Sequence, residues 1–333
     1  LSIAGDDLLG LNDQWNLSLQ RSMNGSPISY SGERPYGNTV TFGASIPVGR
    51  WTFAYNRSAN EYFSSVPSAL GPIKTSGTSK TPSLSVDYLL HRDQVSKTNL
   101  TASITRKENK SYILGTLVSA SSRSLTVADI NLAHSRQIWG GNATASIGYS
   151  KGLKWWGAFD DGTAPAGSPK GQFKKTHLSL GFTKAFTMGS VKARYDGKLT
   201  AQTSKDLLFG SEQISVGGKS TVRGTKSGVI SGNNGVYLRN EFSFGLPKAK
   251  NAKGSKIFGA FDAYFAYDIG NIPAQAEHSI TGGAVSGATL GLRSSKGRVS
   301  LDVSYSDLLS VPDGLSASKS DPGVFAATAT IKF

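Results

Sequence analysis

The 333-residue chain predicts an all-β fold, a transmembrane antiparallel β-barrel, from three features of its sequence. Apolar and polar residues alternate with a period of two along most of the chain, as expected of strands with two different faces. The connections between these segments alternate between short and long, as in outer-membrane barrels. One face of the segments carries charges and the other is aliphatic or aromatic, which suits a water-filled lumen and a lipid-facing exterior.

The alternation predicts about fourteen complete strands. In an early one, Trp15, Leu17 and Leu19 occupy one face, and the opening "LSIA" resembles the tail of one further strand. The alternation loses its phase near Ala128, where we expect a β-bulge. The last segment alternates up to a terminal aromatic, Phe333. A terminal aromatic resembles the assembly signal of bacterial outer-membrane barrels, so we expect the barrel-assembly machinery to be a partner during biogenesis.

The connections are predicted to be short at one end of the barrel and long at the other. The short turns are "PVGR", "WGGN", "TMGS" and "SSKG", and the long connections are 24–37, 61–79, 155–172 and 206–235. A soluble β-sandwich has no need of such asymmetry.

The charged face of the later strands predicts the inside of the barrel, because fourteen or more strands make a cylinder too wide for side chains to fill. This face carries Lys192, Arg194, Asp196, Lys198, Arg239, Glu241, Asp262, Asp268 and Asp302. Aromatic residues near strand ends, Trp51, Trp139 and Phe186, fit a girdle at the membrane interface. The apolar face is therefore expected to contact outer-membrane lipid and lipopolysaccharide.

Composition excludes several classes of site. Cysteine is absent and the four histidines are scattered, so no metal site or cofactor is expected. The net charge is +14, but no nucleic-acid-binding motif accompanies it, and no nucleic-acid partner is predicted. Neither a G-x-S-x-G motif nor a supported Ser-His-Asp set occurs, so the protein is not expected to be an enzyme and no catalytic residue is assigned. The N-terminus lacks the features of a signal peptide, and no apolar run is long enough for a transmembrane helix.

One basic, glycine-rich segment departs from the strand pattern. The stretch "LLFGSEQISVGGKSTVRG", residues 207–224, resembles the signature of two-partner secretion transporters, the TpsB proteins of the haemolysin-activator and CdiB type. In that family a long extracellular loop folds back into the barrel and carries Val-Arg-Gly at its tip. The resemblance implies an inward-folded loop at 206–234, with Val222, Arg223 and Gly224 as its tip.

Two later strands extend the resemblance. The segment "GVYLRNEFSFG" contains Glu241, and "FAYDIGNI" is similar to the family's Phe and Asp-x-Gly motif, here Phe265, Asp268 and Gly270. Alternation alone places both carboxylates on the polar face. An arginine on an inward loop would meet them there, and guanidinium can bond a carboxylate with two parallel hydrogen bonds.

Glycines should shape the loop. Gly217, Gly218 and Gly224 would let its backbone bend and approach the barrel wall closely. The residue after Val-Arg-Gly, commonly aromatic in the family, is Thr225 here.

The resemblance also implies parts outside these residues. The whole of 1–333 is predicted as a single barrel domain, with sixteen strands in the intact protein. The family's plug helix and periplasmic POTRA domains are expected upstream and are not in this chain. A monomer in the outer membrane of a Gram-negative bacterium is implied.

The function that follows is export of a large exoprotein, an adhesin, haemolysin or contact-dependent inhibition toxin, from periplasm to cell surface. Two alternatives remain open from the sequence. A passive diffusion porin would explain the alternation but not the paired motifs. A barrel-assembly insertase shares Val-Arg-Gly and Asp-x-Gly, while the "GSEQISVGG" run favours the secretion branch.

Overall fold

The structure is a computed structural model that describes residues 1–23, 36–66, 73–225, 230–247, 255–312 and 323–331. Phe333, the expected assembly signal, lies outside the described residues, as does most of the 24–37 connection. Within the described ranges, no helix has the length and apolarity needed to cross a membrane.

Strands make up most of the described chain. They are β1 (Ser2–Asp6), β2 (Gln14–Met23), β3 (Tyr36–Val48), β4 (Trp51–Val66), β5 (Ile73–Arg92), β6 (Ser96–Ile113), β7 (Thr116–Leu117), β8 (Arg123–Ile138), β9 (Gly141–Leu153), β10 (Lys174–Met188), β11 (Val191–Thr203), β12 (Ile214–Val216), β13 (Ile230–Gly232), β14 (Gly235–Gly245), β15 (Gly259–Ile272), β16 (Gly283–Lys296), β17 (Val299–Ser310) and β18 (Val324–Ile331). The helical segments are α1 (Ser255–Phe258) and single 3-10 turns at Ser119–Ser121, Trp155–Gly157, Asp161–Thr163 and Ala276–His278.

The described strands form one 16-stranded sheet and one small ribbon. In the sheet the strands follow chain order from β1 to β18, except that β7 pairs only with β6, while β12 and β13 pair with each other. The ladders with described registers are all antiparallel, for example Leu180 opposite Leu199 between β10 and β11. Without β7, fifteen strands follow one another across the sheet. This number agrees with the fourteen complete strands predicted plus a partial first one, which is the five-residue β1.

The chain divides into two compact units. The first comprises 1–92, 98–132 and 148–174. Its buried residues include Leu125, Val127 and Phe173, which lie where the 155–172 connection returns to the strands. Asp161 fixes that connection, because its carboxylate accepts hydrogen bonds from the backbone amides of Gly171 (2.6 Å) and Gln172 (3.1 Å).

One predicted connection of the first unit is wrong. The long loop expected at 61–79 is largely strand, since β4 continues to Val66, β5 begins at Ile73, and their ladder runs from Glu61 opposite Thr78 to Val66 opposite Ile73. Much of this segment is Ser, Thr and Lys, so hydropathy carries no strand signal there. Backbone pairing continues regardless, because ladder hydrogen bonds do not depend on an apolar face.

The second unit comprises 93–97, 133–147 and 175–333 and contains the resembling motifs. Its strands present alternate residues to opposite faces. Leu180 and Phe242 lie on one face and remain 41% and 39% exposed, whereas Asp268 on the other face is 1% exposed. We call the face that carries Asp268 the inner face, because the 206–234 loop packs against it.

The register of the inner face places its charges side by side. Asp196 lies opposite Glu241 between β11 and β14, and Arg239 lies opposite Asp268 between β14 and β15. These positions agree with the polar face predicted from the alternation.

Candidate functional site: a loop bound to the inner face

The 206–234 loop connects β11 to β14, and the structure describes it except for 226–229. Its ribbon of β12 and β13 supplies Val216 and Ile230, and its tip supplies Val222. These side chains form a buried cluster with Ile272 of β15 and Val285 of β16. Val216 and Val222 are fully buried, so the cluster anchors the loop to the wall by apolar contact.

Glycines make this close approach possible. Gly217, Gly218 and Gly224 have φ angles of 118°, 89° and 114°, a backbone region that residues with a Cβ rarely adopt. A Cβ at Gly224 would lie 2.7 Å from the carbonyl carbon of Asp307 on β17. On the wall, a Cβ at Gly270 would lie 2.4 Å from a methyl group of Val216.

The structure brings Arg223 together with both carboxylates named from the sequence. Its Nε and Nη2 donate to the two oxygens of Asp268 at 2.6 and 2.9 Å, which is bidentate geometry. Its Nη1 donates to Glu241 at 2.7 Å, and its backbone amide donates to Asp268 at 3.2 Å. We call these three residues the loop lock, since they join the loop tip to β14 and β15.

The lock is withdrawn from solvent. The Arg223 side chain is 11% exposed, that of Asp268 1% and that of Glu241 18%. Burial alone would lower the pKa of the Arg223 guanidinium, but hydrogen bonds and charge from Asp268 and then Glu241 raise this pKa above its ordinary value. The two carboxylates therefore stabilise the charged form of Arg223 in the lock.

A second arginine, not singled out from the sequence, supports the lock. Arg293 of β16 donates through Nη2 to the other oxygen of Glu241 and lies 4.1 Å from the ring centre of Tyr264. Tyr264 in turn donates to Asp302 at 2.8 Å. Glu241 thus has two guanidinium partners, one on the loop and one on the wall, so it would keep a partner if the loop withdrew.

Arg239 has weaker contacts at the same place. Its Nη1 donates to the backbone carbonyl of Ser220 at 3.1 Å, and its Nε lies 4.0 Å from Asp268. It therefore touches the loop tip through a backbone oxygen and the lock through its charge.

The base of the loop holds a further ion pair that sequence reasoning missed. Lys175 donates to the Glu212 carboxylate at 3.0 Å and to the Glu212 carbonyl at 3.0 Å, with side chains 14% and 1% exposed. Close by, the buried Asn233 accepts from the Leu208 amide at 2.9 Å. The only signal in the sequence was a glutamate within the otherwise uncharged "GSEQISVGG" run.

The remaining sequence-selected residues lie in different places. Gly270 contacts the loop, whereas Phe265 points to the opposite face, where it is 43% exposed and pairs across the ladder with Phe242. In the described part of the chain, no group of His, Cys, Asp and Glu side chains could hold a metal ion.

Comparison with known proteins identifies a family. The family model described as haemolysin secretion/activation protein ShlB/FhaC/HecB matches residues 1–294. Among curated relatives, the outer membrane transporter CdiB of Dickeya dadantii is 34% identical over 73% of this chain and 42% of its own length. CdiB of Escherichia coli is 32% identical over 92% of this chain and 50% of its own length. The chain spans about half the length of the curated relatives it matches.

Solved structures show the same fold. CdiB from Escherichia coli aligns over 99% of this chain and 59% of its own, with a TM-score of 0.84 and 30% identity. CdiB from Acinetobacter baumannii (TM-score 0.79, 20% identity, 98% and 55% covered) shows likeness of fold alone. So does BamA from Haemophilus ducreyi (TM-score 0.58, 13% identity, 99% and 66% covered). The predicted fold class, an antiparallel outer-membrane β-barrel, is confirmed.

Proposed function

The chain belongs to the haemolysin secretion/activation family ShlB/FhaC/HecB, and we propose that it forms the outer-membrane pore of a two-partner secretion system. In this proposal a large exoprotein passes from the periplasm to the cell surface through the strands described above. The names of the relatives, outer membrane transporter CdiB and hemolysin transporter protein ShlB, support both the location and the activity.

The observation that carries the mechanism is the loop lock. A loop bound to the inner face through Arg223, Asp268 and Glu241 would occupy the lumen and limit passage. The exoprotein would displace the loop, and the lock would set the free energy of that displacement. Export needs no covalent chemistry from the pore, in keeping with a family of transporters.

Apolar side chains on the opposite face support a membrane setting. Exposed Leu180, Phe242 and Phe265 would meet lipid and lipopolysaccharide, while charged residues would face water. We further propose that the barrel is monomeric and that the barrel-assembly machinery inserts it into the outer membrane.

Removal of Arg223 tests the proposal. In the full-length protein, Arg223→Ala should reduce secretion of the partner exoprotein strongly while leaving a folded barrel, verified by heat-modifiable migration in gels. Each lost charge-assisted contact should cost the loop about 1–3 kcal/mol, because a largely buried carboxylate loses a hydrogen-bonded guanidinium. Lysine at position 223 should rescue poorly, since it cannot make the planar bidentate contact.

Asp268→Ala should resemble Arg223→Ala, and the double variant should be little worse than either, because each single variant already removes the bidentate Arg223–Asp268 contact. A matched control is Lys192→Ala, on the inner face of β11, for which we expect full secretion. Wild-type secretion by Arg223→Ala would contradict the role of the lock, and no secretion by the unmodified protein would contradict the proposed function.

A further inference from the structure

A cavity of about 350 Å³ opens on the inner face beside the loop lock. Its floor lies on β10 and β11, where Gly181 has no side chain to fill it, and its polar wall includes Asn142, Thr144 and Ser179. Lys198 and Arg239 line it from neighbouring strands. Arg223 and Glu241 of the lock also line this cavity, whereas the mechanism proposed above gives no role to Lys198.

The two cations of the cavity face each other without a shared carboxylate. Lys198 lies directly opposite Arg239 in the β11–β14 ladder, and like charges in such positions repel. Lys198 is exposed and has no hydrogen bond or ion pair with any residue that the structure describes. Among the described residues, no carboxylate therefore lies between Lys198 and Arg239 to neutralise the Lys198 charge.

The carboxylates that line the same cavity are already engaged. Asp196 accepts two hydrogen bonds from Arg194, at 2.6 and 2.7 Å. Glu241 accepts from Arg223 and Arg293. Neither is left to neutralise Lys198, so the cavity holds uncompensated positive charge.

We propose that this cavity binds an aspartate or glutamate side chain of the polypeptide in transit, between Lys198 and Arg239. A carboxylate matches the two cationic donors, and Gly181, opposite Lys198 in the β10–β11 ladder, gives an extended chain room to approach the wall. The inference rests on the proposed function and names the feature of the exported chain that the pore recognises.

Binding there would also loosen the loop. Arg239 donates to the carbonyl of Ser220 at the loop tip and lies 4.0 Å from Asp268. A carboxylate that draws Arg239 toward Lys198 weakens both contacts, so an acidic segment of the cargo promotes release of the tip. The cavity thereby couples recognition to opening.

These 333 residues contain no cysteine, which suits a labelling test. In the full-length protein in proteoliposomes, with any cysteine outside residues 1–333 replaced by serine, Ser220→Cys places a single thiol on the exposed tip, and the Ser220 carbonyl that Arg239 contacts is retained. The rate of maleimide labelling is measured against the concentration of a synthetic peptide of alternating glutamate and threonine. A peptide with glutamine in place of glutamate is the ligand control.

We expect the acidic peptide to accelerate labelling several-fold and saturably, and the glutamine peptide to have no effect. Lys198→Gln should raise the half-saturating concentration about tenfold, the effect of losing one charge-assisted contact. Lys198→Arg should restore the response. The matched control Lys192→Gln lies on the same strand and face, outside the cavity, and should respond as the parent protein does.

Equal shifts for Lys198→Gln and Lys192→Gln, or equal action of the two peptides, would overturn the inference. A folded Lys198→Gln barrel is verified by heat-modifiable migration. If the unmodified protein secretes its partner while Lys198→Gln responds normally, only this inference fails. Absence of secretion by the unmodified protein is the separate failure of the proposed function.

Discussion

Besides the glycines of the loop itself, one glycine of the wall sets how closely the loop tip can approach. A Cβ at Gly287 of β16 would lie 2.0 Å from the carbonyl oxygen of Arg223, so only glycine permits the observed contact. The β16–β17 register also shifts between Ser286 and Gly287, which is the mark of a bulge beneath the tip. The lock thus depends on wall backbone as well as on charge.

Gly287→Ala should displace the loop tip while leaving every charged group in place. The new methyl group overlaps the Arg223 carbonyl, and such overpacking costs about 1–3 kcal/mol. We expect a higher time-averaged conductance in planar bilayers than for the unmodified protein. Gly245→Ala is the matched control, because its Cβ would find its nearest neighbour at 3.4 Å. Equal conductance for both variants would argue against close packing at the tip.

At the scale of elements, the loop is attached at two separate places. The lock and the apolar cluster fix its tip and ribbon, whereas the Lys175–Glu212 pair fixes its base to β10. The Glu212 carboxylate is almost completely buried, and Lys175 compensates its charge at the base of the loop. Opening of the tip can therefore leave the base attached.

Glu212→Ala should destabilise the base of the loop by about 3–5 kcal/mol, because it breaks the buried ion pair with Lys175. The expected result is faster cleavage within 206–234 by added protease, with an intact barrel. Lys175→Met should act alike, and the double variant should lose less than the sum of the two. Additive losses would show that the two residues stabilise the loop independently.

At the scale of the whole molecule, the alternation assigns one face to lipid and the other to water. Leu180 and Ser179 are neighbours on β10, yet Leu180 is 41% exposed on the apolar face and Ser179 lines the inner cavity. The same substitution should therefore place its side chain in lipid at position 180 and in water at position 179.

Leu180→Arg should destabilise the inserted barrel by roughly 2–4 kcal/mol if the position lies near the bilayer midplane, whereas Ser179→Arg should be tolerated. Phe242→Arg and Ser243→Arg form a second pair with the same expected contrast. The measurement is the unfolding free energy in lipid vesicles. Equal tolerance at both members of each pair would reverse the assignment of faces.

Local alternation predicted the strand count and the shared face of Asp268 and Glu241, and together with the connection lengths and the charge of one face it predicted the fold class. The reason is that side-chain direction in a strand depends only on parity, which can be read along the chain without knowing its partners. The motif resemblance then pointed to Arg223, and the structure places that arginine against both carboxylates.

Only the tertiary structure revealed Arg293 beneath Glu241, Lys175 against Glu212 and the cavity between Lys198 and Arg239. These contacts join residues 37 to 52 positions apart, or depend on the register of neighbouring strands. Sequence analysis also missed the strand extension at 61–79, because apolar and polar residues do not alternate regularly there although the backbones pair. Parity is a local property, but partners, registers and cavities arise from the way distant strands align, and one register shift would exchange every pair.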